Sequence, residues 1–200
     1  VAVKISQVTA PERLPLTLLY VETRGFTRVS AILEPAAVVE RMADFFALIT
    51  AIVERYEGAV SNIFNDTLLA AFAGGDSAQH AAQAAHDIQL EFGRLAEAWE
   101  RDYSIRTAVA MGLHCGDTVV GIANSLSPPQ RLIVGDSVSV ALRLLHRART
   151  GEYVMSGPTM DALAAARYAI EAEELPLLAI PHREPLRVYG VLLDTRLDFT

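Results

Sequence analysis

Cysteine is nearly absent from this sequence of 200 residues, in which Cys115 is the only one. A single thiol cannot form a disulfide within the chain, so a small disulfide-stabilised secreted scaffold is excluded. No cysteine or histidine lies at metal-ligand spacing from Cys115, which indicates a reduced, intracellular protein. With 52% apolar residues, a chain of this length buries enough surface to fold as one domain without such links.

Long apolar runs and an excess of basic charge are lacking as well. The longest apolar stretch, residues 45–53, is interrupted by Thr50 and is far shorter than the roughly 20 residues that a membrane-spanning helix needs. The formal net charge is −7. An acidic chain lacks the basic face that binds phosphate backbones, so we expect neither a membrane span nor a nucleic-acid partner.

The first residues suggest a piece of a longer protein. The chain starts at Val1 rather than Met, and a short polar stretch precedes the first apolar run. We expect residues 1–15 to be a lead-in or linker and residues 16–200 to form one domain. No signal peptide is recognisable, so we expect a cytoplasmic location.

Apolar periodicity and turn residues predict an alternation of strands and helices. The predicted elements are strand 16–21, helix 35–56, strands 59–64 and 67–72, helix 79–99, strands 105–113 and 118–122, helix 135–146, strand 153–156, helix 159–166 and strand 186–193. A turn at residues 115–117 and a loop at 125–130 complete the prediction. This order is that of an α+β fold with a ferredoxin-like β-α-β-β-α-β core and additions, an architecture that by itself indicates no function.

Two acidic residues lie at predicted strand ends. Glu22 follows the first strand, and Asp66 follows Asn65 in the turn between the second and third strands. In a β-α-β-β unit the first and third strands are neighbours, so the two carboxylates are expected to converge. Convergent carboxylates beside substrate phosphates are a common way to hold Mg²⁺. The alternative is that each is a solvated acid of a loop.

Four segments carry recognisable signatures in chain order. They are residues 18–27 (LLYVETRGFT), 63–72 (IFNDTLLAAF), 111–121 (MGLHCGDTVVG) and 134–144 (VGDSVSVALRL). In this order and at these separations they resemble the class III adenylate and guanylate cyclase catalytic domain. The resemblance covers roughly residues 16–193 and implies a class III nucleotidyl cyclase-like fold.

The resemblance also implies a reaction and a partner. In that family two domains pair head to tail and ATP or GTP binds at their interface, so a homodimer or a heterodimer with another cyclase domain is expected. The ribose 3′-hydroxyl attacks the α-phosphorus and pyrophosphate leaves. Mg²⁺ or Mn²⁺ makes the hydroxyl more acidic and offsets the charge on the phosphate oxygens.

On the metal side the match is close. Glu22 takes the place of the first metal-binding acid, which is Asp in the family, and Asp66 matches the second. The extra methylene of Glu22 moves its oxygens by about 1.5 Å, against the tight coordination that Mg²⁺ demands. Asn65 replaces a glycine and is suited to a positive φ. Four residues correspond to the family's phosphate loop: Thr23, Gly25, Phe26 and Thr27.

On the base side the match is poor. Asn62 stands where the family has a base-reading Lys, and Leu132 stands at the second base-reading position, often Asp or Thr in adenylate cyclases and Cys in guanylate cyclases. A leucine side chain neither donates nor accepts hydrogen bonds. Ser139 replaces the Asn that positions the ribose and is shorter. Arg143 matches the arginine that stabilises transition-state charge.

Three functions remain open. The first is a degenerate cyclase domain with weak or no turnover, acting in signal transduction as a regulatory, dimerisation or ligand-binding module. The second is an active, atypical cyclase that uses Mg²⁺ or Mn²⁺ to make cAMP or cGMP and pyrophosphate. The third is a plain interaction module without a nucleotide site. Because three base-side and ribose-side positions depart from the family, we favour the first.

Three further patterns are interpreted as structural. Residues 74–76 (GGD) resemble the turn of diguanylate cyclases but lack its acid-aromatic continuation, so we expect a helix cap. His80 and His86 are six residues apart and do not share a helical face, which argues against a metal site. His114 and Cys115 are expected to be packing and turn residues rather than a nucleophile pair.

Overall fold

A mixed β-sheet of eight strands forms the centre of the computed structural model, which describes Ile5 and residues 8–181 and 183–192. The strands are β1 (Glu12–Arg24), β2 (Ala59–Phe64), β3 (Thr67–Ala73), β4 (Ala108–Ala123), β5 (Gln130–Val134), β6 (Glu152–Ser156), β7 (Glu173–Leu178) and β8 (Leu186–Leu192). Seven of them lie in the order β2-β3-β1-β4-β6-β8-β7, and β5 pairs with β4. Neighbouring strands are antiparallel, except that β4 and β6 are parallel.

Helices connect the strands and cover both faces of the sheet. In the described part of the chain they are α1 (Phe26–Ile32), α2 (Pro35–Arg55), α3 (Ser77–Tyr103), α4 (Asp136–Arg147) and α5 (Gly157–Ala165). The succession β1-α2-β2-β3-α3-β4 confirms the predicted ferredoxin-like core, with α1, α4, α5 and the remaining strands as additions. None of these helices has the length and apolar character needed to cross a membrane.

Strand β1 lies between β3 and β4 and is buried on both faces, which accounts for its nearly continuous apolar run. Leu19 and Val21 pack in the cluster that includes α2, α3 and α5. Leu16 and Leu18 pack on the opposite face, in a cluster with Ala141 of α4. Side chains therefore alternate between two helical layers along this strand.

One face of α2 is apolar at three- and four-residue spacing and packs on α3. The Phe45 ring of α2 meets the Phe92 ring of α3 edge to face, with ring centroids 5.6 Å apart. Phe92 meets Trp99 in the same way at 5.9 Å. All three side chains are buried, so this aromatic row anchors both helices to the sheet.

Helix α4 approaches the opposite face of the sheet at a glycine. A Cβ atom at Gly112 of β4 would lie 2.3 Å from the backbone nitrogen of Leu145 and 2.4 Å from the carbonyl oxygen of Ala141. Backbone atoms cannot move aside as a flexible side chain can. Gly112 therefore sets how closely α4, which carries Ser139 and Arg143, sits on the sheet.

The predicted turn at residues 115–117 is wrong. Strand β4 runs without interruption through these residues and pairs with β1, with Gly116 opposite Leu16. A Cβ atom at Gly116 would lie 2.4 Å from Ser137 Oγ at the start of α4. The glycine thus permits close approach of a helix rather than a change of chain direction.

The prediction also missed α1, β5 and β7. Strand β7 contains Pro176, which cannot donate a backbone hydrogen bond, and it lies at the edge of the sheet with β8 as its one neighbour in the described chain. Strand β5 forms a hairpin with β4 directly after the predicted loop. Short or exposed elements of this kind have little apolar periodicity to reveal them.

The structure differs slightly from the prediction at both ends of the domain. Strand β1 starts at Glu12, and Ile5 and Val8 are buried, so part of the expected lead-in packs on the sheet. The domain boundary itself stays a prediction. The closing strand was expected over 186–193 and is found over Leu186–Leu192, while Leu193 lies outside the described residues.

A buried polar network joins β4, β6 and α5. His114 Nδ1 lies 2.8 Å from Ser156 Oγ, which in turn lies 2.9 Å from Thr159 Oγ1. Ser156 is the N-cap of α5 and accepts a hydrogen bond from the Thr159 N–H. Burial lowers the pKa of His114 from 6.5 to about 4, with a further lowering from Arg183 and an opposing effect of Asp136.

We expect Gly112→Ala to lower the free energy of unfolding by about 3 kcal/mol, because the new methyl group collides with the backbone of α4. Gly93→Ala in α3 is the matched control, since a Cβ atom there meets nothing within 4 Å and alanine favours the helix by about 0.5–1 kcal/mol. Urea denaturation of both variants measures the difference. Equal stability of the two would contradict the close packing of α4 on β4.

We expect His114 to make stability depend on pH. Between pH 6.5 and about 4 the unfolded chain protonates this histidine while the folded chain does not, so stability falls as the pH is lowered through this window. The loss reaches about 3 kcal/mol and is absent above pH 6.5. Denaturation across this range should show a shallower pH dependence for His114→Gln, and identical slopes would refute the assignment.

Candidate active site

The two acids lie at the same edge of the sheet, on neighbouring strands. Glu22 of β1 is paired with Thr67 of β3, the residue directly after Asp66. The Thr23 N–H donates to the Asp66 carbonyl oxygen at 3.2 Å. The expectation that the end of the first strand lies beside the start of the third is therefore correct for the backbone.

The turn that carries Asp66 has the backbone that its sequence predicts. Asn65 adopts a positive φ of 55°, as expected for the residue that replaces a glycine. Its Nδ2 donates to Asp66 Oδ1 at 2.9 Å, and the Asp66 side chain is partly exposed. Solvent can thus reach this carboxylate, and one of its oxygens is oriented by the turn.

Glu22 already has a cationic partner. Its carboxylate forms an ion pair with Arg24, two residues further along the same strand and so on the same face. Arg24 also donates from Nη2 to the Leu145 carbonyl oxygen of α4 at 3.2 Å. Sequence reasoning did not assign Arg24 a role, although the spacing of two in a strand was the available signal.

The donor set suits a divalent ion that shares its coordination with phosphate and water. Among residues 8–181 and 183–192 no group of three or more His, Cys, Asp or Glu side chains is placed to hold a metal, so Glu22 and Asp66 would act alone. Mg²⁺ commonly binds through one or two carboxylates plus substrate oxygens. These residues fit such an ion, provided that Arg24 releases Glu22. A bound ion would acidify a hydroxyl and offset phosphate charge.

Gly25 shapes the loop that follows the acid. It has a φ of 92°, is the N-cap of α1, and accepts hydrogen bonds from the N–H groups of Arg28 and Val29. A Cβ atom at this position would lie 2.8 Å from the Arg106 carbonyl oxygen. Both the positive φ and the close approach require glycine here.

The other residues of the predicted phosphate loop lie in different environments. Phe26 and Thr27 form the first turn of α1, and Thr27 is exposed. Thr23 is buried, on the face of β1 opposite to Glu22. Thus Thr27 can meet a ligand from solvent, whereas the Thr23 side chain packs inside. Their role in phosphate binding stays a prediction.

Asn62 and Leu132 are both exposed, on β2 and β5. Asn62 lines a small cavity of about 260 Å³ between the sheet and α4, together with Tyr20, Phe64 and His146. Leu132 does not line this cavity and is 43% exposed. The aromatic and imidazole walls of the cavity escaped sequence reasoning, since the residues come from three separate elements.

Ser139 and Arg143 lie one turn apart on the exposed face of α4. Within the described chain neither of them forms a hydrogen bond or ion pair with Glu22 or Asp66. The residues of α4 that are buried against the sheet are others: Ser137, Val140, Ala141, Leu144 and Leu145. Ser139 and Arg143 are therefore free to contact a molecule or a second chain from outside.

Asp76 and Cys115, which belong to the remaining sequence patterns, have surroundings that agree with structural roles. Asp76 is the N-cap residue of α3, as predicted, although its side chain makes no capping hydrogen bond. Burial raises the pKa of the Cys115 thiol, and its Sγ lies 3.1 Å from Thr17 Oγ1. A thiol of raised pKa is a poor nucleophile, in agreement with its interpretation as a packing residue.

Comparison with known sequences finds similarity to cyclases. The sequence model of a family described as the adenylate and guanylate cyclase catalytic domain matches residues 8–190. An adenylate cyclase of Anabaena cylindrica is 26% identical over 141 residues, which is 69% of this chain and 28% of that protein. The chain thus spans less than a third of this relative.

Solved structures share the architecture. The adenylyl cyclase CyaB from P. aeruginosa has a TM-score of 0.83 and 22% identity, covering 95% of this chain and 99% of that one. The guanylate cyclase domain of RhGC from Catenaria anguillulae, solved in complex with GTP, has a TM-score of 0.77 and 18% identity, covering 90% and 97%. At these identities the likeness concerns the fold, and it confirms the predicted cyclase-like architecture.

Proposed function

Because the chain belongs to the adenylate and guanylate cyclase catalytic domain family, we propose that it is a degenerate member with weak or no nucleotide turnover. It acts in signal transduction as a regulatory, dimerisation or ligand-binding module. The acid side of the site is kept, whereas the side that reads the purine and holds the ribose is not. The observation that carries the proposal is the pair of side chains at the base-reading positions, Asn62 and Leu132.

Leu132 is the stronger of the two arguments. A leucine can neither accept a hydrogen bond from the adenine amino group nor donate one to the guanine carbonyl. Its side chain is 43% exposed, so it is accessible to a ligand but offers it only apolar contact. A site that relies on polar discrimination loses several powers of ten in selectivity without its partner groups.

The ion pair between Glu22 and Arg24 supports the same proposal. A metal ion at Glu22 must displace the Arg24 guanidinium or share the carboxylate with it. That guanidinium also donates a hydrogen bond to α4. Glutamate also carries one methylene more than the family's aspartate. Mg²⁺ tolerates little departure from octahedral geometry, so both features weaken coordination. Mn²⁺ takes the same oxygen and carboxylate ligands, so it serves beside Mg²⁺ as a second probe of the site.

Pairing follows from how the site residues are distributed. Glu22 and Asp66 lie at one sheet edge, while Ser139 and Arg143 face outward on α4, so a complete site needs a second domain. The partner is a second copy of this chain or another cyclase domain. In a self-paired dimer each site inherits every base-side loss. A heterodimer with a complete partner would instead use Glu22 and Asp66 beside intact base-reading residues.

An active, atypical cyclase is the second candidate. Asp66 and Arg143, which match the family, are both accessible to solvent and make no ion pair with other described residues. These two groups would keep metal binding and transition-state charge stabilisation in place. Such an enzyme would be loose in its choice between ATP and GTP, because Leu132 cannot distinguish their bases and the Asn62 amide can both donate and accept.

Turnover of ATP and GTP with Mg²⁺ and with Mn²⁺ decides between the two candidates. Each transition-state hydrogen bond that is missing costs about 2–4 kcal/mol, so kcat should fall at least about a thousandfold below the 10 per second of a typical enzyme. Asp66→Ala is the control for contaminating activity. Product formation at an ordinary enzymatic rate, lost in Asp66→Ala, would overturn the degenerate assignment and establish the active one.

A further inference from the structure

A small cavity of about 150 Å³ lies between α3 and the start of β4. The residues of α3 that line it are spaced by three and four along one helix face: Gln89, Phe92, Gly93, Ala96, Glu97 and Glu100. The start of β4 and two neighbouring loops complete the lining with Arg106, Thr107, Ala108, Val109 and Gly151. Neither Glu22 nor Asp66 belongs to it, and no residue of the predicted phosphate loop does, so the cavity is separate from the candidate active site.

Two small residues, Gly93 and Ala96, leave this space beneath α3. Gly93 lies in the interior of the helix, where glycine is unfavourable relative to alanine. A Cβ atom at this position would meet nothing within 4 Å, so no close approach of a neighbouring group requires the glycine. What the missing side chain provides is room in the cavity.

Two polar side chains in the walls of the cavity have an atom without a partner. Thr107 is 4% exposed, and its Oγ1 forms no hydrogen bond within the described chain. Gln89 donates from Nε2 to the Gly151 carbonyl oxygen at 2.6 Å, which orients its amide, while its buried Oε1 has no partner among the described residues. Buried polar groups are ordinarily paired with protein, water or a ligand. The walls therefore offer one acceptor and one hydroxyl.

The rest of the lining favours a neutral molecule with an apolar body. Phe92 and Val109 are 1% and 2% exposed and form apolar walls. The exposed residues at the rim are Glu97, Glu100 and Arg106, so two acids against one arginine give a formal charge of −1. This charge disfavours an anion. Pockets of this kind bind molecules that combine apolar surface with a few hydrogen-bonding groups.

We propose that this cavity is a binding site for a small phenol, a neutral aromatic molecule with one hydroxyl group. An apolar cavity of about 150 Å³ is large enough for a molecule of the size of benzene. The ring packs between Phe92 and Val109. The phenolic O–H donates to Gln89 Oε1, and its oxygen accepts from the Thr107 hydroxyl. The site does not depend on nucleotide turnover at Glu22 and Asp66.

A ligand-observed NMR titration of the whole chain tests the proposal with three probes. Phenol is compared with toluene, which has a methyl group in place of the hydroxyl, and with benzoate, an anion of similar shape. We expect saturable phenol binding with a dissociation constant of about 1 mM or lower. Toluene should bind about fivefold more weakly, because it leaves both wall groups unpaired, and benzoate should not bind.

Absence of phenol binding would mean that water alone fills the cavity, and it would overturn the proposal. Toluene or benzoate binding as tightly as phenol would overturn it as well, because the hydroxyl group and the neutral charge would then not be recognised.

Two variants test whether phenol occupies this cavity. Gly93→Leu fills the open space and should weaken phenol binding at least about tenfold. Thr107→Val removes the hydroxyl while keeping nearly the same shape, so it should weaken phenol about threefold and leave toluene unchanged. Circular dichroism verifies that both variants fold. Should Gly93→Leu fail to fold, Gly93→Ala adds one methyl group to the same space and should weaken phenol several-fold.

Arg94→Leu is the matched control, because it adds a leucine at an exposed position of α3 outside the cavity. It should leave the phenol affinity unchanged. Equal weakening by Arg94→Leu and Gly93→Leu would contradict the site, and so would phenol binding that survives the filling of the cavity.

Discussion

The antiparallel pairing of β1 with β3 is the constraint on which the candidate site depends. It places Glu22 opposite Thr67 and joins the Thr23 N–H to the Asp66 carbonyl oxygen, so that two acids 44 positions apart in the sequence share one sheet edge. The burial of Leu19 and Val21 on one face and of Leu16 and Leu18 on the other locks this register. A slip of one residue would move Glu22 to the opposite face.

The sequence allowed much of this arrangement to be predicted, because long apolar patterns and strand ends depend on local physics. The core succession and the positive φ of Asn65 follow from periodicity and turn chemistry. The continuous path of β4 through Gly116 could not be foreseen, since that glycine responds to Ser137, 21 positions away. The ion pair of Arg24 with Glu22 was missed for a different reason. The spacing of two residues was visible in the sequence, but whether Arg24 competes with a metal ion for Glu22 depends on how α4 holds the guanidinium.

In the proposed site the acid side and the base side depart differently from the family pattern. On the acid side both positions keep a carboxylate. Arg24 forms an ion pair with Glu22, and the Glu22 side chain is one methylene longer than the family's aspartate. On the base side both positions are exposed: Leu132 has no hydrogen-bonding group, and Asn62 carries a neutral amide where the family has a lysine. Ser139 and Arg143 share one exposed face of α4, so a second domain docked on that face would meet both side chains.

Restoring the base side is the most direct measurement of this account. We predict that the combined variant Asn62→Lys, Leu132→Asp and Ser139→Asn, at three exposed positions, raises cAMP formation from ATP with Mn²⁺ at least about a hundredfold over the unaltered chain. Adding Asp66→Ala should abolish that gain. If the unaltered chain already forms cAMP as fast as the restored one, the lost base-reading groups do not limit catalysis, and the degenerate assignment is wrong.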